Sequence, residues 1–459
     1  QLTSIFFWRS LITKNQEKGS RIMKRKVGTY LMAFAVAAGL CGCGAKAKPE
    51  VSLIVKVPTM GMNCVSNSNI VSCQDFMDYA AEKFVAVYEA ADVSMRIEVF
   101  DYVDENEAIL GAYGTEDAVD ILYEGYFNMA AYISEGHVVP LDDIITDEIR
   151  GDISESAWAQ SMKNGKTYMM PYLSMQNILI YNRRLFMECG LERFLPDELE
   201  IQNWTIEEWE IILDTLAEKL PDGSYPMMMY GVNNQGDTHI MSLIRAFGSG
   251  IFDEDGNFDF ESEEAVRGLE WIQGGVRRGW YPPHPENIEL ADNQQLFENG
   301  LLGIYLFNNA NFMLYDDIET DYGYVNFPGN IATSFITGFE VFDNGDPLKV
   351  QVSKDFVKFI YEDKELLELS AGSIPESRAV AAKYAGQIMM LAEFSANEVN
   401  VVDFMNNSPN WQGSENSVRN VFWPNIHKLL MGKTTPKECA ADLNRDCNAA
   451  IHVKTSFHE

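Results

Sequence analysis

The sequence predicts an α/β protein built from two lobes, and three observations carry that expectation. A strand and helix alternation is complete before residue 160 and starts afresh after it. Between the two lies Gly165 to Glu192, GKTYMMPYLSMQNILIYNRRLFMECGLE, where a Gly-Lys-Thr turn leads into an apolar run bent at Pro171 and then into β-branched and aromatic residues. A short helix from Arg183, stopped by Gly190, completes the segment, as in a chain crossing from one lobe to another. Finally, 459 residues, 46% hydrophobic and 12% aromatic, suffice for more than one core.

Residues 1–22 have no initiating Met and no periodic pattern, whereas Met23 is followed at once by Lys24, Arg25 and Lys26. Met23 is therefore the expected natural start, with residues 1–22 an over-extended gene start. The apolar run Val27 to Leu40 is 14 residues long, shorter than the roughly 20 that span a bilayer, and it follows a basic segment. Residues 23–42 are thus expected to form a signal peptide. The run ends in Leu40-Cys41-Gly42-Cys43, which resembles the lipobox of bacterial lipoproteins, with Cys43 as the residue that receives lipid. Gly44 to Glu50 has the composition of a tether.

Val51 to Val57 is apolar enough for a strand buried on both faces. Asp75 to Glu89 spaces Phe76, Tyr79, Ala80, Phe84 and Val87 as one helix face. Met95 to Asp101 reads as a second strand, Asp104 to Tyr113 as a helix and Val119 to Tyr123 as a third strand. Such alternation implies a parallel sheet, whose ligands sit at the carboxyl ends of the strands. Those ends are the loops Pro58 to Met62 and Glu124 to Asn128.

After the crossover, Thr205 and Glu208 form a capping box for a helix running to about Leu220. His239 to Phe247 is a further helix. Asp253 to Asn257 is acidic, but Gly256 stands fourth where a calcium loop needs glycine sixth, so an Asp-Gly turn explains it better. Ser262 caps a helix to Arg278. A helix from Asp292 to Gly300, a strand from Leu302 to Phe307 and the polar stretch Asn308 to Asn311 follow.

The formal charge of -33, with only 35 Lys and Arg, excludes a nucleic-acid partner and favours cationic over anionic ligands at long range. The six His form no HExxH pair and no Cys/His cluster, there is no Gly-x-Ser-x-Gly elbow, and neither Gly-Lys-Thr has the upstream glycine of a phosphate loop. No metal or cofactor is expected. A glycosidase pair among 68 carboxylates stays open. Cys64 and Cys73 could close a small loop; Cys439 and Cys447 are too far apart along one helix to bridge. What remains is aromatic and amide side chains in cleft loops, the chemistry that grips the C–H faces and hydroxyls of a sugar. Tyr123, Tyr126 and Phe127 flank Glu124, Tyr172 and Gln176 lie in the crossover, Asn308 and Asn309 follow a strand, and Trp411 stands in a polar loop.

The crossover residues Lys166, Tyr168, Pro171, Tyr172, Tyr181, Asn182, Arg183, Leu185, Phe186, Gly190 and Leu191 resemble a signature of the extracellular solute-binding proteins, family 1, of ABC importers. Asp117 to Ile144 resembles the segment before it, and Thr333 to Phe342 and Ala371 to Pro375 resemble two further crossings. The resemblance implies a two-lobe periplasmic-binding-protein-like fold of type II with three interlobe crossings. The expected lobes are residues 43–159 with 337–373, and 160–336 with 374–459. It also implies a monomeric, lipid-anchored protein on the extracellular face of the cell membrane, not an enzyme. Such a protein captures a carbohydrate, expected to be an oligosaccharide, by hinge closure and delivers it to membrane permease subunits. Ligand contacts are implied in the segments of Tyr123, Glu124, Tyr126, Tyr172, Gln176, Asn308, Asn309 and Trp411. A peptide or polyamine ligand stays open, as do a lipid-anchored glycan-active enzyme and a ligand-presenting partner of a sensor kinase.

Overall fold

The computed structural model describes residues 48–451, apart from 63, 101–108, 127, 233–236, 309–320, 389 and 412–416. The leader, Cys43, Phe127, Asn309, the Asn308 side chain and the first half of the helix expected from Asp104 lie outside the described residues. Strand β1, Glu50–Pro58, is buried on both faces from Leu53 onward, as its continuous apolar run requires. Helix α1, Cys73–Val87, starts two residues before the expected Asp75 because Ser72 is its N-cap and accepts the Asp75 N–H at 3.1 Å. Strand β2, Asp92–Phe100, pairs parallel with β1 along its whole length, and β3, Ile121–Gly125, lies parallel on the other side. Helix α2, Met129–Glu135, follows directly.

Strand β4, Met170–Asn182, is the 13-residue centre of the molecule. After it, α3, Ile206–Lys219, carries the capping box expected at Thr205 and Glu208. Helix α4, Asp237–Arg245, begins two residues before the expected His239, and α5, Glu263–Arg278, is capped by Ser262. Strands β5, Leu302–Asn308, and β6, Tyr322–Val325, run antiparallel to β4, as does β7, Thr333–Val341, which returns to pair with β3. Helix α6, Pro347–Glu362, packs on the first half of the sheet. The short α7, Phe404–Asn407, and the closing pair α8, Arg419–Leu430, and α9, Pro436–Ile451, complete the described chain.

These strands share one sheet in the order β2-β1-β3-β7-β4-β6, with β5 also paired to β4, and its side chains feed two large separate cores and a small third one around Leu122, Tyr132 and Phe342. The first gathers Leu53, Val55, Phe76, Phe84, Tyr123, Tyr172, Phe339 and Phe356. The second gathers Ile180, Trp209, Leu213, Ile244, Trp271, Phe307 and Phe422. Among the described residues the chain passes between these two within β4, from Leu173 to Ile178; at the start of β7, from Ala332 to Ile336; and between Leu369 and Ala371; Met405 later reaches back to the first core. Met169 to Leu173 still contribute to the first core, later in the chain than the expected boundary at residue 160.

Candidate functional site

A cavity of about 350 Å³ opens where the passages leave room between the two cores, within the size range of small-molecule sites. Tyr126 and Ala130 line it from the first core, just beyond the carboxyl end of β3, where a parallel sheet presents ligand loops. Thr333, Ser334 and Phe335 line it from the start of β7, and Met241 and Arg245 from α4. Asn400 to Val402, Phe404, Met405, Ser408 and Trp411 form the remaining wall. Met405 packs in the first core while Phe404 packs against the second, so α7 touches both.

The aromatic faces are fixed in place. The Tyr126 and Phe335 rings stack at 5.9 Å with an interplanar angle of 18°, and burial pushes the Tyr126 phenol well above its ordinary value. Trp411 sits 4.8 Å from Phe404 and 5.4 Å from Phe422, ring centre to ring centre. Its indole N–H donates to Asp237 Oδ2 at 3.0 Å, and that of Trp423 donates to Oδ1 at 2.8 Å. Arg419 pairs with the same carboxylate. Burial pushes the Asp237 carboxyl up against the opposing pull of Arg419 and the two indoles, and pushes the Arg419 guanidinium down.

Among the described residues, several polar groups of this wall have no hydrogen-bond partner. Thr333 Oγ1, Ser408 Oγ and Arg245 Nε are buried without a hydrogen bond. Buried polar groups are nearly always paired, so these three side chains of one cavity wall are candidates to bond a ligand once the wall rearranges, since none of the three atoms is open to solvent in this conformation. The arrangement provides aromatic faces and hydroxyls that both donate and accept, with no metal-ligand cluster and no opposed carboxylates among the lining residues. A wider depression of about 740 Å³ over Thr146 to Ile153 is a poorer candidate. Its groups answer one another, as Lys383 pairs with Glu368 and the Tyr361 hydroxyl donates to the Met170 and Pro171 carbonyl oxygens.

Of the residues expected from the sequence, Tyr126 and Trp411 line the cavity. Tyr123 and Tyr172 are corrected to core residues. All of β3 is buried, and the Tyr123 ring packs 4.8 Å from Phe339 and 6.0 Å from Phe76, on the helix-covered face of the sheet. Tyr172 stacks on Phe76 at 5.1 Å and donates its hydroxyl to the Leu366 carbonyl at 2.6 Å. Glu124 points to the other face, fully buried and away from this cavity, and among the described residues neither carboxylate oxygen has a partner. Gln176 is held between the passages: its amide donates to the Phe394 carbonyl at 2.7 Å and its oxygen accepts from Asn397 at 3.3 Å. Asn308 pairs through its backbone with Asn177. The Pro58 to Met62 loop does not reach the cavity; Met62 is buried in the first core.

Sequence reasoning missed Asp237, Arg245, Thr333 and Arg419. Two charged residues on a helix that is otherwise buried, Asp237 and Arg245, were the available signal, since buried charges need a partner or a purpose.

The family model for bacterial extracellular solute-binding proteins matches residues 69–365, and this chain belongs to that family. Diacetylchitobiose binding protein DasA of Streptomyces coelicolor is 23% identical over 83% of this chain and 87% of its own length. A Brucella abortus protein described as a binding protein is 24% identical over 38% of this chain, a match spanning only 40% of that relative's length. The solved cyclic α-maltosyl-1,6-maltose binding protein of Arthrobacter globiformis superposes with a TM-score of 0.67 at 16% identity, covering 88% of this chain and 99% of that one. The fold is thus that of the two-lobed binding proteins of type II, and the family is one of binding proteins placed outside the cell. No helix among the described residues is long and apolar enough to cross a membrane.

Proposed function

We propose that this protein captures an oligosaccharide in the cavity between its two cores and hands it, unaltered, to the permease of an ABC importer. The observation that carries this reading is the joint lining of one cavity by aromatic residues, Tyr126, Phe335 and Trp411, and by Thr333 and Ser408, whose hydroxyls have no partner among the described residues. Sugars need both surfaces at once. Relatives named for diacetylchitobiose and for a cyclic maltosyl-maltose support a carbohydrate ligand. Binding works by closure: the ligand bridges residues of the two cores, and the closed form it stabilises is the one the permease recognises. The lobes meet within β4, at the start of β7 and near Ser370, and these passages are the hinge.

Cys43 carries the lipid that holds the protein at the extracellular face of the membrane, where it acts as a monomer. Loss of palmitate labelling in a Cys43→Ala variant tests the anchor. For the ligand, thermal shift and tryptophan fluorescence against neutral and charged oligosaccharides, amino compounds and peptides test the class, with small-angle scattering to record compaction. Saturable sugar binding with compaction and no glycan product after long incubation is the expected result. Binding confined to peptides or polyamines, or release of shortened glycans, would overturn the reading.

A further inference from the structure

Arg245 is the last residue of α4, buried to all but 8% of its surface, and it lines the cavity. Its Nη1 donates to the Asn400 carbonyl oxygen at 2.9 Å. Among the described residues no carboxylate pairs with it, and its Nε has no acceptor. Charged groups are rarely buried unless paired, and a guanidinium shut away from water without a counter-charge is costly. Desolvation alone pushes its pKa down to about 10, with no acid pulling it back. The neighbouring Arg419 differs, since Asp237 neutralises it. Among the described residues the cavity wall therefore holds two arginines against one aspartate, in a chain whose formal charge is -33.

We propose that the ligand is an acidic oligosaccharide, and that its single anionic group, a uronate carboxylate, pairs with the guanidinium of Arg245. With Nη1 engaged by Asn400, the edge formed by Nε and Nη2 is the one whose geometry matches the two oxygens of a carboxylate. Nε is closed off from solvent in this conformation, so a bidentate pair needs a small turn of the side chain. The acidic exterior repels anions at long range, which disfavours polyanions and suits a sugar with one charge among neutral units. This inference rests on the carbohydrate reading above and narrows it.

The test uses matched oligosaccharides on glucan, galactan and xylan backbones: one bearing a single uronate, the same molecule with its carboxylate reduced to the alcohol, and a singly sulfated counterpart. Calorimetric titration of the unaltered protein should favour the uronate over its reduced form by roughly 10- to 100-fold, the range expected of a charge-assisted pair. The sulfated arm should bind more weakly than the uronate. Arg245→Gln, which keeps a donor for Asn400, should bind neutral and acidic members alike. The same variant should melt higher than the parent without ligand, because an uncompensated charge has been removed, so misfolding is told apart from lost recognition. Equal or tighter binding of the reduced member overturns the acidic ligand and leaves the sugar reading intact. Sulfate preferred over uronate overturns the carboxylate assignment, and failure of every glycan overturns both.

Discussion

The carboxylate of Asp237 accepts the indole N–H of Trp411 at 3.0 Å, tying the first residue of α4 to a loop 174 positions further along the chain. Arg419 and the Trp423 indole use the same carboxylate, so one acid orients the aromatic wall of the cavity. Asp237→Asn leaves Arg419 without its counter-charge. The side chains of Asp237 and Arg419 retain 15% and 16% exposure, so we expect a loss near the lower end for a buried pair, about 3 kcal/mol, read by urea unfolding. Trp411→Phe keeps a ring but drops the hydrogen bond, at about 1 kcal/mol in stability. Trp411→Ala should weaken sugar binding at least roughly tenfold, as expected when an aromatic platform is removed. Unchanged affinity in Trp411→Ala would remove this residue from the site.

The outline of the fold was legible because its signals are local. The Thr205 and Glu208 capping box, the Ser262 cap and the crossover run from Met170 to Asn182 each depend on neighbours within a few positions. The site was legible only in part. Tyr123 and Tyr126 are three apart at one strand end, and their sequence does not reveal that the first faces Phe76 while the second faces the cavity. That depends on which face of the sheet α1 and α6 cover, a tertiary fact. Asp237 and Arg419 meet across 182 positions, and no periodicity announces such a pair.

Gly338 lies where β7 is squeezed between β3 and β4, at the register shift next to Thr337. A Cβ there would come within 2.2 Å of the Met170 carbonyl oxygen, which is backbone and cannot turn aside. Gly338→Ala should therefore force the two strands apart, with a cost of about 1–3 kcal/mol by analogy with overpacked cores. Gly274, by contrast, meets nothing within 4 Å in α5, and Gly274→Ala should be neutral or stabilising because alanine is the better helix former. Thermal melts of the two variants side by side check the contrast; equal melting temperatures would contradict it.

Glu376 follows the third passage, buried to 8% exposure, with Oε2 accepting the Ser154 hydroxyl at 3.0 Å. Burial pushes its carboxyl above the ordinary 4.5, against the pull of the Ser174 and Ser154 hydroxyls and Arg378. A raised folded pKa means that the native state holds the proton more tightly than the unfolded chain. Its contribution to stability is thus fully present below 4.5 and fades as pH rises through the folded value. Glu376→Gln should be more stable than the parent at pH 7, with the advantage shrinking as pH falls toward 4.5 and vanishing below it. Chemical denaturation at a series of pH values measures this directly; an advantage that grows toward acid would reverse the assigned sign.

Cys64 and Cys73, which could have closed a loop beside the first strand, are separate buried thiols in the structure. The Cys64 thiol donates to the Leu369 carbonyl oxygen at 3.1 Å, and burial pushes both thiols up to about 12. Only the thiolate is nucleophilic, so at pH 8 a thiol with that value is almost wholly unreactive even where a reagent can reach it. The folded protein should therefore leave both cysteines unmodified by iodoacetamide at pH 8 for hours. After guanidinium unfolding without reductant, both should label at once. Peptide mapping distinguishes the outcomes: labelling at Cys64 or Cys73 before unfolding would show that the segment joining β1 to α1 opens readily. A pair that labels only after reduction would show that the two sulfurs are bonded to one another.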